Sequence, residues 1–115
     1  MAYIPERGDV VWIQLDPQAG REQAGHRPAL VLSPQSFNKK LNVVFCCPIT
    51  SRAKRFEFEV PLPDNLDVKG VVLSHHMKSL DWRARDAKYM TRIPDYVVDD
   101  VLSVLDSILA MPKLN

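Results

Sequence analysis

The chain of 115 residues holds two cysteines, four glycines and three histidines, has almost no net charge, and each shortage removes a class of protein. Cys46 and Cys47 are neighbours inside an apolar stretch with no other cysteine to pair with, so their number excludes a disulfide framework or a thiolate zinc site. They read as buried structural thiols, which suits a reducing compartment. No stretch approaches the roughly 20 apolar residues that a membrane-spanning helix needs. The opening residues, Met1-Ala2-Tyr3-Ile4-Pro5-Glu6-Arg7, contain no apolar segment of a secretory signal. A cytoplasmic protein without membrane contact is expected. With a formal charge of +1 and a pI near 7.8, the chain has no wholesale basic excess. The charge is unevenly placed, however: residues 51–92 hold nine Lys/Arg against six Asp/Glu, and residues 93–115 hold one Lys against four Asp. A local basic surface can therefore sit on a neutral chain.

What is present is an ordinary globular composition, 46% hydrophobic and 25% charged, in a single domain spanning 1–115. Such a chain can bury a core and still gain from a partner subunit. The run Asp9-Val10-Val11-Trp12-Ile13-Gln14-Leu15 is β-branched and aromatic and predicts a strand ending at Asp16-Pro17. Residues 16–26 read as a surface loop, and Arg27 to Leu32 as a second strand stopped by Ser33-Pro34. Pro34 to Lys40 predicts about one helical turn capped by Ser33. Asn42 to Pro48, continued by Ile49-Thr50-Ser51, predicts a buried strand, and the alternation from Phe56 to Leu62 a half-exposed one. Val71 to Ser74 predicts a further strand reaching towards Leu80, while residues 83–92 fit strand or loop equally. From Pro94 the period changes. Val97, Val98, Val101, Leu102, Val104, Leu105, Ile108 and Leu109 fall on one helical stripe, with Asp99, Asp100, Ser103 and Asp106 opposite. The sum is α+β: short antiparallel strands in a curled sheet or small barrel, with an amphipathic C-terminal helix packed on it.

Three polar clusters carry candidate chemistry. Glu22, His26 and Arg27 lie within six residues on a loop that enters a strand, and Pro28 holds Arg27 at an extended corner. A general base or acid beside a fixed positive charge is a minimal set for chemistry on a phosphodiester. The plainer alternative is a solvated loop. At a strand end, Thr50 and Ser51 precede Arg52, Lys54 and Arg55: two hydroxyls, then three cations, able to hold a phosphate and draw in a polyanion. A polar hairpin loop is the alternative. Lys78, Arg83 and Arg85 surround Trp82, which either stacks on an unpaired base or, as such residues more often do, belongs to the core or a subunit interface. His75-His76, if on a strand, point to opposite faces and do not chelate one ion, though one of them can face a groove.

At these residues the chain resembles the MazF/PemK family of toxin endoribonucleases. The resemblance rests on Gly8-Asp9-Val10-Val11-Trp12, Asp16-Pro17, the block Glu22–Ser33, Pro48-Ile49-Thr50-Ser51, Gly70-Val71-Val72-Leu73 and the run Lys78–Arg85, in family order over nearly the whole chain. It implies an SH3-like small β-barrel of the kind shared with the gyrase-poisoning toxins, with short helices, acting as a homodimer. It implies cleavage of single-stranded RNA, chiefly mRNA, at specific sequences without a metal or other cofactor. Attack by the ribose 2′-OH would leave a 2′,3′-cyclic phosphate and a 5′-OH. Carried onto this chain, Arg27 and Thr50 match the catalytic pair, with Glu22 in support and His26 where close relatives also carry histidine. His75-His76 departs from the acidic or amide residues expected there.

A 2′-OH needs a base, for which Glu22 and His26 both qualify, while a guanidinium keeps its charge and suits Arg27 to clamping the charge that develops on phosphorus. RNA would lie along Ser51, Arg52, Lys54, Arg55, His75, Lys78, Arg83 and Arg85. The family also implies a cognate acidic antitoxin of the MazE kind that occupies the same groove, with DNA reached only through that complex. Two other functions fit the fold: a non-catalytic inhibitor that binds gyrase through the C-terminal helix, and a plain SH3-like nucleic-acid-binding module. Neither needs the Glu22–Pro28 loop together with Thr50.

Overall fold

The β-branched run after Gly8 becomes β1 (Asp9–Gln14), whose successive residues Val10 and Val11 are buried on opposite faces of the sheet. It pairs antiparallel with β2 (His26–Val31), Val10 opposite Leu30 and Ile13 opposite Arg27. The computed structural model describes residues 2–16, 23 and 25–114. Next come α1 (Gln35–Leu41), β3 (Val44–Thr50), β4 (Glu59–Pro61), β5 (Val71–Leu73), a 3-10 turn over Ser74–His76, β6 (Lys78–Leu80), β7 (Lys88–Arg92) and α2 (Asp95–Leu109). All pairings are antiparallel, in the order β4-β5-β3-β2-β1-β7, with β6 beside the first half of β3.

Both faces of this sheet are covered. Val10, Leu30, Cys47, Ile49 and Val72 meet Val97, Val98 and Val101 of α2 on one side. Val11, Ile13, Ala29, Val31, Val44 and Cys46 meet Leu80 and Trp82 on the other. The neighbouring cysteines thus face opposite cores. Burial pushes the Cys46 thiol up to about 12 and raises that of Cys47 as well. Two polar clusters tie the edges together. The buried Asp9 carboxylate accepts hydrogen bonds from Tyr3 Oη at 2.6 Å and the Glu6 amide at 3.0 Å, and pairs with Arg92 Nη1 at 3.0 Å. Loss of solvent, then the bond to Asp9, raises the Tyr3 phenol. Asn38, fully buried on α1, donates to Pro5 O and Ser33 O, and its own carbonyl accepts from Trp82 Nε1 at 2.8 Å.

The α+β architecture and the C-terminal helix agree with expectation, and several details differ. The two ends of the strand order, β4 and β7, do not pair among the described residues, so the sheet is open along this path rather than a closed barrel. Ser33 does not cap α1. Its hydroxyl donates to Asn38 Oδ1 and accepts from the Phe45 amide, leaving Pro34 at the cap position. The alternating segment from Phe56 contributes only Glu59–Pro61 to the sheet, because the chain turns first and the Glu59 amide bonds back to Phe56 O at 3.1 Å. The expected strand from Val71 towards Leu80 is broken by the 3-10 turn at Ser74–His76. Residues 83–92 resolve into a turn and β7.

Candidate active site

Arg27 and Thr50 reach one place because of strand register. Ala29 of β2 stands opposite Pro48 of β3. Continuing that antiparallel register by two residues sets Arg27 opposite Thr50, on the same face, at the sheet's rim. Both line a cleft of about 690 Å³, together with Gln23, Ser51, Arg52, Lys54, Phe56, Glu59, Leu73, His75 and His76. Thr50 is 8% exposed, and its Oγ1 accepts a hydrogen bond from the Arg52 amide at 3.2 Å. Accepting that bond leaves the hydroxyl proton for donation.

Gly70 stands directly behind Thr50. Its φ is +114°, and a Cβ there would lie 2.0 Å from Thr50 O and 2.8 Å from Ser51 Cα. Only a residue without a side chain lets the start of β5 press this closely on the end of β3. The basic loop beyond Thr50 is also held. The Glu59 carboxylate accepts from the Lys54 amide at 3.0 and 3.2 Å and from the Arg55 amide at 2.8 Å, with Arg55 at φ 60°. The loop that presents three cations is therefore shaped by main-chain bonds and leaves those side chains exposed.

Of the residues read from sequence as site candidates, Arg27, Thr50, Ser51, Arg52, Lys54 and His75 line this cleft, and Arg55 belongs to its rim loop. Glu22 lies outside the described residues. His26 follows strand alternation to the opposite face from Arg27. There its ring stacks on Trp12 at 6.0 Å, and its Nδ1 lies 3.2 Å from Gln14 Nε2. Lys78, Arg83 and Arg85 do not line the cleft. Lys78 is on β6, Arg83 covers the Trp82 ring at 4.8 Å, and Arg85 Nη1 donates to the carbonyls of Gln14 and Asp16. Trp82 is 6% exposed, so it stacks on no base. His75 and His76 do not diverge as they would on a strand, since both sit on the 3-10 turn with ring centroids 4.4 Å apart. Among the described residues no group of three or more His, Cys, Asp or Glu is placed to hold a metal ion. No described helix is long and apolar enough to cross a membrane. Gln23, Phe56 and Glu59 join the cleft without having been singled out by their local sequence, and both histidines of the His75-His76 pair face it rather than one. The alternation of Phe56–Leu62 signals a strand, which hides the turn that brings Phe56 and Glu59 to it.

The geometry can be set beside known proteins. Residues 6–109 match the family described as the PemK-like, MazF-like toxin of type II toxin-antitoxin systems. The chain belongs to this family. It is 47% identical over 85 residues to the endoribonuclease toxin MazF of Escherichia coli K12, covering 74% of this chain and 76% of that one. Crystal structures of MazF from Deinococcus radiodurans, and of a MazE–MazF complex from the same organism, superpose with TM-scores of 0.92 and 0.86. Both are 49% identical, covering 96% of this chain and all of theirs. As a member of the MazF/PemK family, the chain is a toxin and an endoribonuclease.

Proposed function

We propose that the Arg27–Thr50 cleft cleaves single-stranded RNA, chiefly mRNA, by attack of the ribose 2′-OH on the adjacent phosphodiester. The O2′–P bond forms as the P–O5′ bond breaks. The products are a 2′,3′-cyclic phosphate and a 5′-hydroxyl, which takes up a proton. The observation that carries this reading is the convergence, on one cleft, of a guanidinium and a threonine hydroxyl from adjacent strands, beside a loop of three cations. Arg27 would neutralise charge as it develops on the non-bridging oxygens, Thr50 would donate one hydrogen bond to them, and Arg52, Lys54 and Arg55 would draw the polyanion in. Of the two candidate bases, His26 faces Trp12 and Gln14 rather than the cleft, which favours Glu22. No step requires a bound metal, because the nucleophile belongs to the substrate.

The partners follow from surface chemistry. An acidic, extended antitoxin tail would meet the same cations and exclude RNA by occupation, and DNA would be engaged only through that complex. A homodimer would cover the apolar groove of about 290 Å³ between Phe37, Phe45, Met77, Leu102 and Leu105, where Phe45, Met77 and Leu102 are exposed. The sequence expectation places this surface on the C-terminal helix and near Trp82; Leu102 and Leu105 belong to that helix, whereas Trp82 is buried in the core. A cytoplasmic setting suits the two reduced thiols.

The test is to incubate the purified protein with a defined single-stranded RNA in EDTA and map the ends. Cyclic-phosphate and 5′-hydroxyl termini are expected, with no cut where the ribose at the cleavage site is 2′-deoxy. Cleavage of the deoxy substrate would overturn the mechanism. Gyrase inhibition without any RNA cleavage would favour the non-catalytic alternative.

A further inference from the structure

Phe56 has no part in the chemistry above, yet it stands in the cleft with 55% of its surface exposed. Single exposed apolar rings are ordinary on a protein surface, but this one stands in the cleft on a loop that is well held. Phe56 O accepts from the Glu59 amide, and the amides of the two residues before it donate to the Glu59 carboxylate. Its ring meets His75 nearly edge-on, with centroids 6.4 Å apart and planes at 80°. His75 is backed in turn by Phe58 at 5.9 Å and by His76 at 4.4 Å. An edge-on contact covers at most one face of a ring, so Phe56 presents an open face to the cleft that Arg27 and Thr50 also line.

We propose that Phe56, braced by His75, is a stacking platform for an unpaired nucleobase next to the phosphate held by Arg27 and Thr50. The proposal rests on the RNA-cleavage reading and adds to it how a flanking nucleotide is seated. Cations alone would let the strand slide, since phosphates repeat along it and carry no positional information. An aromatic face at a fixed distance from the catalytic pair stops the strand at one phosphate, with one flanking base turned out of its stack.

The experiment uses a short single-stranded RNA made uncleavable by a 2′-deoxyribose at the cut site. The fluorescent base 2-aminopurine is placed in turn on each side of the cut. On wild-type protein one of the two positions should be quenched by stacking. Phe56→Ala should abolish that quenching and weaken binding by about fivefold to a hundredfold, the range of one lost base–aromatic stack. Phe56→Trp should retain both. With an abasic nucleotide at the same position, wild type and Phe56→Ala should bind equally, a result that a merely structural role for the loop would not give. Intact RNA bound as tightly by Phe56→Ala as by wild type, or equal weakening on intact and abasic RNA, overturns the platform alone. Wild-type protein that binds no single-stranded RNA overturns the cleavage reading and the platform with it.

Discussion

Replacing Gly70 with alanine should both destabilise the fold and move the catalytic threonine. The new Cβ would fall 2.0 Å from Thr50 O and 2.7 Å from Thr50 C. Both are main-chain atoms, so no side-chain rotation relieves the clash. Forcing extra volume into such a fit costs about 1–3 kcal/mol, and holding a non-glycine residue at φ +114° adds about 1–3 kcal/mol. The sum is about 2–6 kcal/mol. With an unfolding entropy of about 2.1 cal/mol/K per residue, a domain of this length should melt about 8–25 °C lower. Gly25→Ala is the control, because its φ is also positive, +74°, but no described atom lies within 4 Å of the new Cβ. That change should cost about 1–2 kcal/mol, or about 4–8 °C. Thermal unfolding by circular dichroism reads both. RNA cleavage by Gly70→Ala, measured well below its melting temperature, should also fall. A Gly70→Ala protein that melts within about 4 °C of wild type, or no lower than Gly25→Ala, would refute the claim that β5 is pressed against Thr50.

Arg27→Ala should lose at least about a hundredfold in cleavage rate while the protein stays folded, and Thr50→Ala should lose less, because a neutral hydrogen bond is weaker than a charged one. Initial rates on one RNA decide the order. The buried thiols should resist iodoacetamide at pH 8 until the protein is unfolded. Because folding raises the Cys46 thiol from 9.0 to about 12, stability should be constant below about pH 9 and fall as pH climbs towards 12, which urea titrations across that range would read. Asp9→Ala removes the acceptor for Tyr3 and Glu6 and the partner of the half-exposed Arg92, and should lower stability by about 2–3 kcal/mol, read by urea titration at neutral pH. Reversing Arg52, Lys54 and Arg55 to glutamate should weaken RNA and antitoxin binding together. It should also flatten the salt dependence of RNA affinity by about one in slope for each phosphate that is no longer neutralised.

The fold is legible in the sequence where a pattern repeats. The 3.6-residue stripe of α2, the β-branched run of β1 and the apolar run of β2 each span several residues, and the structure follows them to within a residue or two. Short elements are not legible, because three residues of strand carry no period. Val71–Leu73 therefore reads as continuing through His75-His76, and Phe56–Leu62 reads as strand throughout. Arg27 and Thr50 can be named from local chemistry and resemblance, but their juxtaposition depends on a pairing between distant segments. Arg83 and Arg85 read as RNA-binding cations because charge in a sequence does not show its partner. Two main-chain carbonyls and the face of Trp82 occupy them instead.

The pairing of Ala29 with Pro48 bears on how such a chain tolerates changes of length. Adding or deleting one residue between Arg27 and Ala29, or between Pro48 and Thr50, would turn one of the two reactive side chains to the other face of the sheet. The same change in the segment from Arg52 to Phe58 breaks no ladder, since the chain there is loop and turn. A change of length in the loop that greets the polynucleotide should therefore spare the register of Arg27 and Thr50, whereas a change in the strand residues behind them should not.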